Sequence, residues 1–456
     1  MPTSAPFSDL VREHAGVQIV DMNARDWLQE LLQLLTPPFV TAPPGVAYRG
    51  EVPLQQVLAV ARDQLEARVA VVEPYVSTDW NEEYSQLYSR AFREVPRLAQ
   101  RIHFFSLPRQ DARLTYEDLF SLPPEWRDSY VGYAVVRPLQ AFRVGDTVLA
   151  NPCLIGGTGP ELVHCHARFE VSLLANDLHV TGMPFLQQET AVGACAVADM
   201  WMIARYLNRK GETRRYRPAE VTTLATKTFV IGPPRQGLAD SQMLDALRQM
   251  DLNPFGLYPD SPQEARELIY TCVESELPVI VAIPGHVVVA IGHTYEDVLE
   301  VTSGTNSMSD LVKSFIVHDD AAGPYRELPL ASVVPDQQLG DEYLALDGEP
   351  VDFCLVAFPP RVLMTWQDVR DMCGVWLVDG AMGEYAAANT ETDPTELWSP
   401  RDLETTVFRI YLRLSSDFKR DLLRAPPDER RHRDLIDRYL CMPMPKYVWV
   451  VELATR

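Results

Sequence analysis

The sequence predicts an α+β protein with more than one domain, and three observations indicate this. The chain has 456 residues, a length that corresponds to two or three domains of about 150 residues. Hydrophobic residues make up 46% of the chain and charged residues 23%, which is typical of a globular protein with a large core. Segments with apolar residues at three- and four-residue spacing alternate with short apolar, β-branched runs, so both helices and strands are expected.

The N-terminal part, residues 1–183, is expected to be an α+β domain whose function the sequence does not assign. The predicted helices cover residues 26–35, 54–68 and 84–102, and the predicted strands cover 130–136 and 169–174, the latter before a turn at 176–177.

The middle part, residues 184–362, is expected to be a second α+β domain, and residues 363–456 a C-terminal α+β extension. The predicted helices cover residues 195–207, 241–250, 261–276, 366–372 and 428–440, and the predicted strands cover 278–283, 287–291, 315–317, 351–358, 407–414 and 447–453. Ser261 is the expected N-cap of its helix, because Pro262 follows it at the first helical position.

Charge and cysteine content exclude several classes of function. With 41 basic and 63 acidic residues the net charge is −22, which disfavours sequence-independent binding to nucleic acid or to an anionic membrane. No run of apolar residues is long enough for a membrane span, and the first residues do not resemble a signal peptide. The seven cysteines are an odd number without a C-x-x-C pair, which favours a reducing compartment, so we expect a cytoplasmic protein.

One cysteine has the sequence setting of a nucleophile. Cys195 opens a predicted helix directly after two small residues, and the positive end of a helix lowers the pKa of a thiol placed there. His286 begins a predicted strand after a Pro-Gly turn, where an imidazole can accept the thiol proton. Asp319 and Asp320 end a later strand, and either carboxylate could orient the imidazole.

An oxyanion donor is also expected near the thiol. Gln187 and Gln188 lie a few residues before Cys195, and either side-chain amide could donate an N–H to a developing oxyanion.

In this order the residues resemble the papain-like cysteine peptidases, particularly the branch of the bacteriocin-leader peptidases. The matching segments are PFLQQETAVGACAVADMW (184–201), PVIVAIPGHVVVAIG (278–292) and FIVHDDAAGPY (315–325). The resemblance implies a papain-like core, a catalytic helix packed on an antiparallel sheet, over about 184–362. It also implies that Gln188 is the oxyanion donor, Cys195 the nucleophile, His286 the general base and Asp319 its orienter.

The chain departs from this family in four places. Ala196 follows the cysteine where relatives have glycine or tryptophan, and Asp320 stands where the family has proline. Residues 294–314 are interpreted as an insertion, and the spacing from Gln188 to Cys195 is one residue longer than the commonest form.

Other candidate residues are interpreted as structural. The remaining cysteines are expected to be buried, and His293 and His318 are the rivals of His286 for the role of base. His164 and His166 have strand spacing and could form half of a metal site, but a packed or solvated strand is the preferred interpretation. The glycine-rich residues 156–159 lack the Lys-Ser/Thr of a phosphate loop.

The expected function is that of a thiol hydrolase that cleaves a peptide or isopeptide bond through an acyl-enzyme intermediate. Its expected partner is a protein or peptide substrate, with no nucleic acid, no membrane, no metal and no organic cofactor. Two alternatives stay open: a catalytically degenerate fold that serves as an interaction or regulatory module, and an acyltransferase with the same triad. The sequence leaves the oligomeric state undetermined.

Overall fold

The computed structural model divides the chain into two compact units. The first comprises residues 1–251, 285–289 and 316–327, and the second comprises residues 252–284, 290–315 and 328–456. The residues described are 16–35, 52–89, 95–139, 143–154, 161–188, 195–226, 237–295, 307–333, 343–362, 364–378, 406–424 and 433–455.

The first unit is built on an antiparallel sheet of six strands. The strands of the first unit are β1 (Gln18–Asp21), β2 (Ala67–Tyr75), β3 (Ala99–Ser106), β4 (Tyr130–Val136), β5 (Val144–Leu149), β6 (Glu161–Val163), β7 (Ala167–Leu173), β8 (Asn176–Gly182) and β9 (Pro184–Phe185), and β6 is not part of the six-stranded sheet. The sheet order is β1-β2-β3-β4-β5-β9, while β7 pairs with β8 alone. All seven residues of β4 are buried, as its apolar and aromatic sequence predicts.

Seven α-helices belong to the described part of the first unit. They are α1 (Trp27–Leu35), α2 (Val52–Ala59), α3 (Thr78–Glu83), α4 (Pro124–Asp128), α5 (Cys195–Arg209), α6 (Pro218–Thr226) and α7 (Asp240–Gln249). Helix α5 is the most deeply packed over its middle, where Met200, Trp201 and Ile203 are fully buried. Its position is therefore fixed by the core.

The second unit contains most of a long sheet. The strands are β10 (Asn253–Leu257), β11 (Val279–Ile283), β12 (His286–Tyr295), β13 (Val312–Asp319), β14 (Gly323–Val333), β15 (Tyr343–Leu346), β16 (Glu349–Pro350), β17 (Phe353–Phe358), β18 (Thr406–Leu414) and β19 (Tyr447–Thr455). The order is β10-β17-β11-β12-β13-β14-β15-β16, and β18 pairs with β19. Residues 286–289, 316–319 and 323–327 of β12, β13 and β14 belong to the first unit.

Four α-helices belong to the described part of the second unit: α8 (Pro262–Glu274), α9 (Trp366–Val378), α10 (Ser415–Arg424) and α11 (Arg433–Cys441). The Oγ of Ser261 accepts the backbone N–H of Glu264 at 3.2 Å, so the predicted N-cap of α8 is confirmed. In the described ranges, no helix is long and apolar enough to cross a lipid bilayer.

Three sequence predictions of local structure are wrong in part. The helix predicted over 54–68 ends earlier, because β2 begins at Ala67. The helix predicted over 84–102 gives way to β3 at Ala99, and Pro96, which has no N–H to donate, lies just before that strand. The turn predicted at 176–177 lies at residues 174–175 instead, because the buried Asn176 begins β8 and its side chain bonds to the chain at Leu119.

At the level of fold class, the mixture of helices and sheets agrees with the α+β prediction. The papain-like arrangement of the core and the three-part division at residues 183 and 362 stay predictions. Part of the predicted helix 428–440 lies outside the described residues, and α11 begins at Arg433.

Candidate active site

The ends of two strands bring an imidazole and a carboxylate together in the first unit. His286 is the first residue of β12 and Asp319 the last residue of β13, and these strands are neighbours in the sheet. The imidazole Nε2 donates to Asp319 Oδ1 at 2.9 Å, while Asp320 Oδ1 lies 3.8 Å from the same nitrogen. The side chain of His286 is 22% exposed, so part of it reaches solvent.

The carboxylate of Asp319 is held by several other donors. Its Oδ1 accepts the backbone N–H groups of Ala321 at 2.9 Å and Ala322 at 3.1 Å, and its Oδ2 lies 3.3 Å from Arg326 Nη1. These donors come from the turn between β13 and β14 and from β14 itself, so the position of the carboxylate does not depend on the imidazole alone.

Gly323 closes this turn in a conformation that favours glycine. Its φ is +126°, and a Cβ atom there would lie 2.4 Å from the Cβ of Gln56 on α2. The side-chain amide of Gln56 also donates to the carbonyl of Pro324. The turn that carries Asp319 is thus packed closely against α2.

The two aspartates differ in the electrostatics of their carboxyl groups. Burial alone would raise the pKa of Asp319, but the hydrogen bond and charge of His286, the Ala321 N–H and the Arg326 guanidinium together hold that pKa below its usual value. For Asp320 burial dominates, and with the charge of Asp319 it raises the pKa above its usual value. The geometry and charge therefore favour Asp319 as the partner of the imidazole.

The two glutamines differ in burial and in their hydrogen-bond partners. Gln187 is 1% exposed, and its Oε1 accepts the backbone N–H of Val144 at 3.0 Å, so its side chain is bonded to strand β5. Gln188 is half-buried and donates its backbone N–H to the carboxyl of Asp320. Both glutamines line a cleft that Val197 and Ala198 of α5 also line. Of the two, Gln188 is the more exposed to solvent.

Cys195 is the first residue of α5, a helix of 15 residues. Its side chain lies outside the described part of the structure, as do residues 189–194 before it. The structure therefore gives the position of the N-terminus of α5, and the role of the thiol is a proposal.

The rival histidines are engaged elsewhere. In the second unit, His293 Nε2 lies 2.8 Å from Glu274 Oε1, and both side chains are buried. In the first unit, His318 Nδ1 donates to the carbonyl of Pro184 at 3.2 Å, and burial lowers the pKa of His318 to about 3. The imidazole of His318 packs edge-on against Phe185, on the side of β13 opposite to its neighbour Asp319.

The cluster of His286, Asp319 and Asp320 has the residue types of a cation site, and one ligand atom from each lies within 4.8 Å of the others. The oxygens of Asp319 are engaged within the chain. Asp319 already accepts four N–H donors, and the positive charge of Arg326 stands beside it. Among the described residues, these contacts join the cluster by hydrogen bonds and ion pairs.

Two other sequence candidates differ from expectation. Residues 164–166 form an irregular link between β6 and β7 rather than a strand, and the backbone N–H of His166 donates to the carbonyl of His164. The strand spacing proposed for this histidine pair is therefore wrong. The glycine-rich residues 156–159 lie outside the described residues.

Sequence reasoning missed two arginines near the site. Arg326 pairs with Asp319, and Arg137 donates from Nη2 to the carbonyl of Gln187 at 2.9 Å. Neither stands in a motif, and the only signal for Arg137 is a charged residue directly after the apolar run of β4.

Comparisons with known proteins give no family assignment. No family model matches the chain, and no curated protein sequence matches it. The peptidase domain of Streptococcus ComA, a bifunctional ABC transporter of a quorum-sensing pathway, is 11% identical over 38% of this chain and 97% of that domain, with a TM-score of 0.23. The UfSP of C. elegans is 17% identical over 39% of this chain and 34% of that protein, with a TM-score of 0.25. At TM-scores this low, neither likeness assigns a fold or an activity.

The buried His318 is expected to make stability depend on pH. Its imidazole stays neutral in the folded chain down to pH 3, whereas an unfolded histidine binds a proton below about pH 6.5. The unfolded state thus binds more protons, and between pH 7.5 and pH 5 the free energy of unfolding should fall by roughly 2 kcal/mol through this residue. Urea unfolding of the parent and of His318→Asn, which keeps an N–H donor, should differ in pH dependence by this amount.

The matched control is His179→Asn, at an exposed position on β8, which should keep the pH dependence of the parent. If His318→Asn also keeps it, then the imidazole of His318 is not held neutral by the core.

Proposed function

We propose that this chain is a papain-like thiol hydrolase that cleaves a peptide or isopeptide bond through an acyl-enzyme intermediate. In this proposal Cys195 is the nucleophile, His286 the general base, Asp319 the residue that orients the base, and Gln188 the side-chain donor to the oxyanion. The class of bond, the papain-like assignment and the roles of Cys195 and Gln188 come from the sequence resemblance, and the geometry described above supports the pairing of His286 with Asp319.

The observation that carries the proposal is the hydrogen bond between His286 Nε2 and Asp319 Oδ1 at 2.9 Å. Because both aspartates lie at Nε2, the nitrogen that would take a proton from a thiol is Nδ1. A carboxylate on one nitrogen fixes the tautomer and stabilises the imidazolium that forms when the other nitrogen is protonated.

The position of Cys195 supports the role of nucleophile. The backbone N–H groups of the first helical turn have no partner within the helix, and the helix dipole is positive there. A thiolate at the first residue of α5 would be stabilised by both effects, and the buried middle of α5 keeps that N-terminus in place.

The proposed chemistry follows in two steps. His286 Nδ1 accepts the proton of the Cys195 thiol, and the sulfur attacks the carbonyl carbon, whose oxygen becomes negative and accepts N–H groups of Gln188 and the Cys195 backbone. The imidazolium then protonates the departing amine as the C–N bond breaks, which leaves a thioester. Water attacks this thioester while His286 takes its proton, and the free thiol is restored.

The first test is the reactivity of the thiols. With iodoacetamide near neutral pH, Cys195 should be alkylated at least about tenfold faster than Cys441, because a thiol paired with an imidazole at a helix N-terminus has more thiolate. The expectation that the remaining cysteines are buried is wrong for Cys441, which is exposed and so serves as the reference, and for the half-buried Cys153 and Cys373. Burial raises the pKa of Cys272 and Cys354 and should leave them unreactive. Mass spectrometry of the digested protein gives the rate for each cysteine.

In the same assay His286→Ala should reduce the rate at Cys195 to that of Cys441, which itself should not change. Equal rates at the two cysteines in the parent protein would contradict the proposal and favour a binding module without turnover.

A second prediction separates the two aspartates. Asp319→Asn should lower the alkylation rate of Cys195 by at least about tenfold, because the imidazolium loses its carboxylate. Asp320→Asn should change that rate by less than about threefold, because burial already favours the neutral form of Asp320 and asparagine resembles it. The reverse order of effects would make Asp320 the residue that orients His286.

A further inference from the structure

A buried arginine anchors the segment that leads to Gln188. Arg137 follows β4 directly, and its side chain is 2% exposed. Its Nη2 donates to the carbonyl of Gln187 at 2.9 Å and to that of Val144 at 3.3 Å, while Nη1 pairs with Glu83 Oε2 at 3.2 Å. The guanidinium therefore joins α3, β5 and the residue directly before Gln188.

Gln187 is also held by β5. Its backbone N–H donates to the carbonyl of Val144 at 3.1 Å, and its Oε1 accepts the backbone N–H of Val144 at 3.0 Å. Together with Arg137, these bonds fix the amide, the carbonyl and the side chain of Gln187, so its backbone has little freedom.

The next residue, Gln188, is bonded to the site rather than to β5. The backbone N–H of Gln188 donates to the carboxyl of Asp320, whose Oδ1 lies 3.8 Å from His286 Nε2. The segment 187–188 is thus held by Arg137 at one residue and by Asp320 at the next.

We infer that Arg137 is a positioning residue, which places the Gln188 amide where the oxyanion forms. The inference rests on the proposed function. Stabilisation of an oxyanion depends on a donor fixed in advance within a few tenths of an ångström. A guanidinium can donate to two carbonyls and to Glu83 at the same time through its planar fork, whereas the ammonium of a lysine is a point charge that cannot reproduce this geometry.

Two electrophilic reagents that react with the same thiol distinguish this positioning role from a purely structural one. Alkylation by iodoacetamide is a displacement at a saturated carbon and forms no oxyanion. With 4-nitrophenyl acetate, the Cys195 sulfur bonds to the acyl carbon through a tetrahedral oxyanion, the ester C–O bond breaks, and nitrophenolate departs with the electron pair while the thiol proton stays on His286. The ratio of acetylation to alkylation rates at Cys195 therefore reports the oxyanion donors alone.

Gln188→Ala should lower this ratio by about 10- to 100-fold, since a donor is removed. Arg137→Lys should lower it by about tenfold, because the donor is kept but displaced. In Arg137→Lys the alkylation rate itself should stay within about twofold of the parent, because alkylation forms no oxyanion and the guanidinium bonds to Glu83, Val144 and Gln187 rather than to His286.

The matched control is Arg101→Lys. Arg101 forms a similar partly buried pair with Glu73, but its hydrogen bonds go to Glu73 and to the carbonyl of Ser172, not to residues 187–188. This variant should lose comparable stability in thermal unfolding and keep the parent ratio.

An unchanged ratio in folded Arg137→Lys overturns the inference. If that variant does not fold, Glu83→Gln carries the test, because it loosens the guanidinium without removing it: a ratio lowered severalfold supports the inference and an unchanged ratio overturns it. Slow alkylation of Cys195 in the parent protein would instead overturn the proposed function, so the two failures are distinct.

Discussion

The candidate site depends on one hydrogen bond, from His286 Nε2 to Asp319 Oδ1. It forms because β12 begins where its neighbour β13 ends, so that residues 33 positions apart in the chain meet. Asp319 is positioned by its own turn and by Arg326, and Gly323 allows the turn to lie against α2. The imidazole is thus held by a carboxylate that the fold has already fixed, which is the arrangement that a general base requires.

The sheet of the N-terminal residues belongs to the same compact unit as this site. Strand β5 holds Gln187 through its backbone and side chain, and Arg137 adds a charged contact to the same residue. Residues before Pro184 therefore form the hydrogen bonds that hold the segment ending at Gln188.

Sequence reasoning predicted the elements that local patterns determine. Strands β4 and β12 and helix α8 were predictable because apolar runs, a Pro-Gly turn and a Ser-Pro start specify them over a few residues. The pairing of His286 with an aspartate was predictable because both residues stand at strand ends. The choice of Asp319 over Asp320 came from the family resemblance alone, since the residues themselves left both carboxylates open; in the structure the two differ by 0.9 Å, between distances of 2.9 and 3.8 Å from His286 Nε2. Arg137 was not predictable, because its partner Gln187 lies 50 residues away and no local pattern links them.

The most direct test of this account is the distance between Cys195 Sγ and His286 Nδ1 in an experimental crystal structure of the intact chain. The account predicts that the two atoms lie within about 4 Å of each other, with Asp319 at Nε2 and the Gln188 amide beside the sulfur. A Cys195 side chain packed into the core of the first unit, away from the imidazole, would contradict it.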